Sequence, residues 1–278
     1  MAEVQVRYLQ DTDGDRYFPM THVDCVIGLE ETESNTSELN NKTIVCFGDS
    51  ITELGTYPEQ ISMNTGATIV KGGFAGCRMA QHKSDYAMNN QSMQKLVEFI
   101  ANDDFTPLIE STESYYKETG KDFRKQARDL ANVNWPQVDY ITIFFGTNDF
   151  RANMPIGTNS DFTENTFKGA INKIIKTLSE SNPKIRVVFI TPFYRIRYMG
   201  SENRDSDTLP NDSGIFLKEY VDAIKEITEL NHFPCIDLMR LSGINKYNQE
   251  TYLVDGLHPN DFGYTHIANI LRKQLEAL

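Results

Sequence analysis

Thr43-Ile44-Val45-Cys46-Phe47-Gly48-Asp49-Ser50-Ile51-Thr52-Glu53 is the stretch on which the reading of this chain turns. Thr43 to Phe47 are strand formers, bounded by the polar Asn40-Asn41-Lys42 and then by Gly48-Asp49, so they predict a short buried strand stopped by a tight turn. Ser50 is the first polar side chain past that turn. A rigid strand fixes where a hydroxyl points while the turn exposes it, which is how α/β enzymes mount a serine nucleophile. Gly-Asp-Ser is also ordinary turn chemistry, so the stretch needs support from elsewhere in the chain.

That support comes from three later stretches, in this order: Gly72-Gly73-Phe74-Ala75-Gly76, Gly146-Thr147-Asn148-Asp149 and Asp255-Gly256-Leu257-His258-Pro259. With them the chain resembles the SGNH/GDSL hydrolases (esterases and lipases), whose four blocks carry Ser, Gly, Asn and His in sequence. The resemblance spans about residues 43–278, and four ordered blocks are far more specific than one. Lys71 stands where that family usually has Asn, a departure at the start of the second block.

Outward from the first strand, strand and helix patterns alternate. Ser50 to Asn64 reads as a short helix and Ala67 to Val70 as a second strand. Between about 78 and 137 the chain is longer than the family pattern needs. There Ser92 to Ile100 and Lys121 to Val133 predict a helical insertion of two helices, which either shapes a cleft or decorates the surface. Val138 to Phe145 is a nearly continuous apolar run, expected to be a strand buried on both faces. Asp161 with Glu164 reads as an N-terminal capping pair for a helix carrying Phe167, Ala170, Ile171, Ile174, Ile175 and Leu178. A strand at Ile185 to Ile190, a helix at Ile215 to Leu230, a strand at Cys235 to Leu238 and a last helix begun by Asn260 follow. The alternation predicts an α/β fold, a three-layer α/β/α sandwich on a five-stranded parallel sheet of flavodoxin-like order 2-1-3-4-5. In such sheets ligands bind outside the carboxyl ends of the strands, where the Ser, Gly and Asn blocks all fall.

Residues 1–40 read differently and set the expected organisation: an appendage at 1–40 and a hydrolase domain at 41–278. Val4 to Leu9 and Arg16 to Phe18 flank the turn residues Asp11 to Asp15 as a β-hairpin, and Glu30 to Lys42 is polar enough to be a solvated linker. The acidic turn has its glycine at the fourth loop position and no Glu at the twelfth, unlike a calcium loop. The run from Asp11 to Gly28 resembles attachment segments of phage tail and baseplate proteins of Gram-positive hosts. Residues 1–40 are thus the expected contact for a second copy of the chain or for a phage tail partner.

The net charge of −12 over 278 residues disfavours a nucleic-acid partner, because little is available to neutralise phosphates. Four cysteines, Cys25, Cys46, Cys77 and Cys235, have neither C-x-x-C spacing nor a histidine at zinc-ligand spacing, so no metal site and no cofactor are expected. The N-terminus lacks an apolar core behind basic residues and no apolar run reaches membrane-spanning length, which predicts a cytoplasmic or virion-associated protein without a membrane partner.

Ser50 needs a base. His258 is the candidate, and Asp255, three residues earlier, can fix its tautomer. The resemblance implies an oxyanion hole made by the backbone N–H of Ser50, the backbone N–H of Gly76 and the side-chain amide of Asn148. Asp49 and Asp149 read as groups that bond to backbone amides in turns. Arg195 and Arg197 open a polar stretch that could overhang the site and grip an acidic or sugar substrate. The expected function is a serine esterase acting on small acyl esters, chiefly O-acetyl groups of a glycan, through Ser50, His258 and Asp255. The alternatives are a phage tail-associated structural or host-binding protein on the same fold, and a metal hydrolase.

Overall fold

The computed structural model describes residues 9–10, 16–17, 37–82, 87–199 and 202–278. The chain divides into two compact units, Met1–Thr36 and Ser37–Leu278. In the first, Leu9–Gln10 pairs antiparallel with Arg16–Tyr17, with Leu9 opposite Tyr17. The rest of the expected hairpin (Val4 to Tyr8, the Asp11 to Asp15 turn and Phe18) and the expected linker up to Thr36 lie outside the described residues.

The larger unit is a three-layer sandwich. Its five parallel strands are β1 (Thr43–Gly48), β2 (Thr68–Gly73), β3 (Tyr140–Phe144), β4 (Arg186–Ile190) and β5 (Cys235–Ile236). They lie in the order β2-β1-β3-β4-β5, as the alternating pattern predicts. Side chains alternate across a strand, so β1 serves two cores. Val45 and Phe47 point to one, Ile44 and Cys46 to the other, and all four are buried. On the Ile44 side the cover comes from α2 (Tyr57–Thr65) and α11 (Asp261–Glu276). On the Phe47 side it comes from α3 (Met93–Asn102), α4 (Thr106–Thr119), α5 (Arg124–Ala131), α7 (Phe167–Ser181) and α8 (Leu217–Leu230).

The segment at 78–137 is therefore part of the main core. Phe47 stacks on Trp135 at 6.3 Å and Trp135 on Phe105 at 5.6 Å, a column of rings running from the central strand into the helical layer. Each such ring pair contributes about 0.5–1.5 kcal/mol beyond simple burial. The segment's described residues hold three α-helices where two were expected. The additional one, α4, buries Leu108, Ser111, Thr112 and Tyr115. Its helical stripe is half hydroxyl residues that bond back to their own helix, as Ser111 does to Leu108 O and Thr112 to Ile109 O, so no apolar period marks it.

Other local expectations shift for physical reasons. Leu39, inside the expected linker, is fully buried in the Ile44 core, and Ser37 Oγ donates to Glu276 at 2.5 Å. The expected single helix after Ser50 is two, α1 (Ser50–Glu53) and α2, broken at Gly55. A Cβ at Gly55 would lie 2.3 Å from Ile51 O and 2.6 Å from the Tyr264 ring. Strand β2 runs on to Gly73 because Lys71 is tolerated beside a sheet edge, its ammonium donating to Gly55 O at 2.6 Å. Strand β5 stops at Ile236 because Asp237 caps the short helix α9 (Leu238–Leu241), accepting from Arg240 N. The N-cap of α7 is Thr166, which accepts from Gly169 N, and not the Asp161/Glu164 pair. Asp161 instead clasps its own loop through Thr158 and Thr166, and Glu164 pairs with Lys173.

Register does the rest of the positioning. Gly48 at the end of β1 lies opposite Gly73 of β2 and Phe144 of β3, so three adjacent strands finish level. The segments that follow, carrying Ser50, Gly76 and Asn148, are delivered to one edge of the sheet.

Candidate active site

Helix α1 is fixed to that edge by its own first turn. Asp49 Oδ1 accepts from Ile51 N at 2.9 Å, and Asp49 O accepts from Thr52 and Glu53 N at 3.1 and 2.9 Å. The orphan amides of a helix start are thus largely satisfied, while among the described residues that of Ser50 meets no acceptor. The helix also sits very close to β2: a Cβ at Gly73 would lie 2.3 Å from Glu53 N, so only glycine allows this approach.

The segment after α10 (Gln249–Tyr252) brings in the second group. Leu253 bridges Pro259, and Val254 N donates to His258 O at 2.8 Å, which closes the intervening residues into a compact loop. Gly256 takes φ +74° at its turn, a left-handed conformation that favours glycine. Asp255 Oδ1 accepts from Leu257 N at 3.0 Å and from His258 N at 2.8 Å, while Oδ2 lies 2.8 Å from His258 Nδ1. His258 Nε2 is 2.9 Å from Ser50 Oγ, across 208 positions of sequence. With the ring proton on Nδ1, the imidazole donates to Asp255 and accepts the Ser50 hydroxyl. Burial acts to raise the Asp255 pKa, but the backbone and ring N–H of His258 and its charge outweigh that and hold the carboxyl below its usual value.

The third strand supplies the amide. Gly146-Thr147-Asn148 leads into α6 (Thr147–Arg151), and Asn148 Nδ2 donates one hydrogen to Cys77 O at 3.1 Å, which orients the group and leaves its second N–H for another acceptor. Gly76, one residue before Cys77, has φ +84°. The loop carrying both is tied down by Asp149, whose oxygens accept from Met79 N at 2.9 Å and Ala80 N at 3.0 Å. The expected turn role of Asp149 is in fact a bond across about seventy residues to the Gly76 segment.

Arg195 is buried, not exposed in an overhanging loop, and its Nη1 donates to Thr147 O at 3.1 Å and Thr147 Oγ1 at 2.8 Å. Next to it, Ile196 N donates to Gly256 O at 2.7 Å, so this segment braces the Asn148 turn and the His258 loop together. The side chain of Arg197 lies outside the described residues. Neither the Arg195 brace nor the Cys77 carbonyl has a signal in sequence. Glu53 stood inside the opening stretch without being singled out, although it is one helical turn beyond Ser50.

The family model that matches the chain is the GDSL-like lipase/acylhydrolase family, over residues 46–266. The chain belongs to that family. Its reaction class is acyl-ester hydrolysis. Among solved structures, a protein from Lactobacillus plantarum is 23% identical with a TM-score of 0.62, and the match covers 86% of this chain and 98% of that one. A possible lipase from Chitinophaga pinensis is 18% identical with a TM-score of 0.53, covering 84% and 98%. A salicylyl-acyltransferase from a tetracycline biosynthetic pathway is also 18% identical, with a TM-score of 0.54 and coverage of 86% and 55%. At these identities the likeness is one of fold. No curated protein gives a significant match.

Two buried carboxyls accompany the family site. Burial pushes Asp49 up to about 7 and Asp149 up to about 6, against the backbone N–H groups that favour their charged forms. Asp49 Oδ2 has no donor among the described residues. A folded-state pKa above the unfolded one means that the folded protein binds the proton more tightly, so this stabilising contribution is complete below about pH 4 and is lost as pH rises through about 7. Asp49→Asn keeps the acceptor for Ile51 N and removes the titration. The melting temperature of the wild type, measured relative to that of Asp49→Asn, should therefore fall from pH 5 to pH 8, at roughly neutral conditions spanning the shift. A relative rise would contradict the sign.

Proposed function

We propose that the protein is a serine esterase that removes small acyl groups, chiefly O-acetyl, from a carbohydrate alcohol. The single observation that carries the reading is the unbroken chain from Asp255 Oδ2 through the imidazole to Ser50 Oγ, at 2.8 and 2.9 Å. In the reaction, His258 Nε2 takes the Ser50 proton as Oγ attacks the ester carbonyl, giving a tetrahedral intermediate. Its oxyanion is met by the Ser50 and Gly76 backbone N–H groups and the remaining Asn148 N–H, donors that stabilise developing charge best when they are fixed before the reaction. His258 then passes the proton to the departing alcohol, leaving an acyl-Ser50. Water, deprotonated by the same imidazole, attacks that ester, and collapse of the second intermediate returns the proton to Ser50 and releases the acid. Asp255 holds the imidazole tautomer and stabilises the imidazolium throughout.

Small acyl groups are favoured over long-chain lipid because no stretch of the sequence offers an apolar lid helix to cover a long alkyl chain. The experiment is hydrolysis of p-nitrophenyl esters of increasing chain length, with acetate turned over fastest. On p-nitrophenyl acetate, Asn148→Ala should lower kcat by about 10²–10³-fold with KM changed only a few-fold, because the donor acts on charge that develops in the transition state. A KM effect without a kcat effect, or no hydrolysis of any chain length by the wild type, would overturn the reading.

A further inference from the structure

Strand β2 is the edge of the sheet, and between its free side and α5 lies a cleft of about 560 Å³, the size of a small-molecule site. Ser50 and His258 are not among its walls, but it reaches their immediate neighbourhood through Glu53 and Gly73. Glu53 stands one turn beyond Ser50 on α1, a rise of roughly 4.5 Å. The lysines of the cleft are matched within it, Lys71 to Glu59 at 3.0 Å and Lys125 to Asp129 at 2.6 Å. Glu53 differs. Its carboxyl accepts from the Ala75 backbone N–H, yet Oε2, shielded from solvent, has no hydrogen-bond partner among the described residues. A shielded carboxylate oxygen left without a donor costs free energy unless something supplies one. Burial also raises the pKa of this carboxyl. Further along, the amide side chains of Gln126 and Asn132 offer both donors and acceptors.

From this geometry we propose that the cleft is the subsite for the alcohol part of the ester, a neutral polyhydroxylated ring, with the Glu53 carboxyl hydrogen-bonding to the hydroxyl nearest Ser50 and Gln126 bonding to hydroxyls farther away. An anionic group is disfavoured because, among the described residues, carboxylates outnumber lysines along the walls, and a long alkyl group because Ile69 and Val70 are the only large apolar residues among them. The assignment rests on the esterase reading, so its test has two arms.

In the first arm, monoacetylated glucose is compared with p-nitrophenyl acetate. Glu53→Gln and Gln126→Ala should each lower the ratio of kcat/KM for the sugar ester to that for the aryl ester by about tenfold, the size of one hydrogen bond to a charged or well-placed group. In the second arm, binding of monoacetylated glucose to Ser50→Ala is followed by saturation-transfer NMR, and Gln126→Trp in that background, which fills the cleft, should abolish it. Melting temperatures identify any variant that fails to fold, and Gln126→Ala, a good helix former on a helix surface, keeps the first arm decisive. Equal losses on both esters, or undiminished sugar binding in the filled variant, would overturn the subsite while leaving the esterase standing. Sugar binding lost on filling, in a wild type that hydrolyses neither ester, would support the subsite and remove the esterase reading instead.

Discussion

Ser50→Ala should lower kcat for p-nitrophenyl acetate by roughly 10⁴-fold or more, since no covalent acyl intermediate can form without the hydroxyl. What remains would come from donors that polarise the carbonyl for direct attack by water. The substitution removes one hydroxyl at the start of α1, and the bonds fixing that turn run through Asp49 and the backbone, so the fold is retained. A melting temperature within a few degrees of the wild type, with turnover at background, is the expected pair of observations. Turnover within tenfold of the wild type would remove Ser50 from the mechanism.

His258→Ala should be nearly as damaging, and the two changes should not add. Without the imidazole, Ser50 keeps its proton at neutral pH, and Asp255, bonded to Leu257 N and His258 N, is oriented toward nothing that can use it. Those two backbone bonds, with the bridge between Leu253 and Pro259, hold the loop without the ring. The Asp255 side chain is 52% exposed, so water can solvate the carboxylate that loses its partner, and the stability cost should stay within about 1 kcal/mol. Because nucleophile and base act as a unit, the Ser50→Ala/His258→Ala enzyme should be no slower than Ser50→Ala alone. Steady-state hydrolysis by the four proteins tests this directly, and additive losses would mean that the two side chains act in separate steps.

Much of this site could be read in the chain because its parts are local. Strand β1 announces itself by an apolar run between polar bounds, and the Asp255–His258 bond needs only three residues and a glycine turn. The core helices α7, α8 and α11 show their helical period plainly. Helix α4 does not, since it buries hydroxyl residues whose donors are spent on its own backbone. Arg195 misled for a related reason. Composition assigns a loop arginine to solvent, and only the packed structure shows that Thr147 presents two oxygens to it.

The sequence by itself determined the kinds of element, their order along the chain and the four blocks, because propensity, periodicity and turn chemistry act over a few residues. Tertiary structure alone decided which blocks meet. Ser50 and His258 come within 2.9 Å only because three strands end level, Gly73 lets α1 close onto β2, and Ile196 draws the Gly256 loop toward the sheet. Those contacts join residues far apart in the chain, and the free energy that selects them comes from burying both faces of one sheet, a quantity that no local stretch contains.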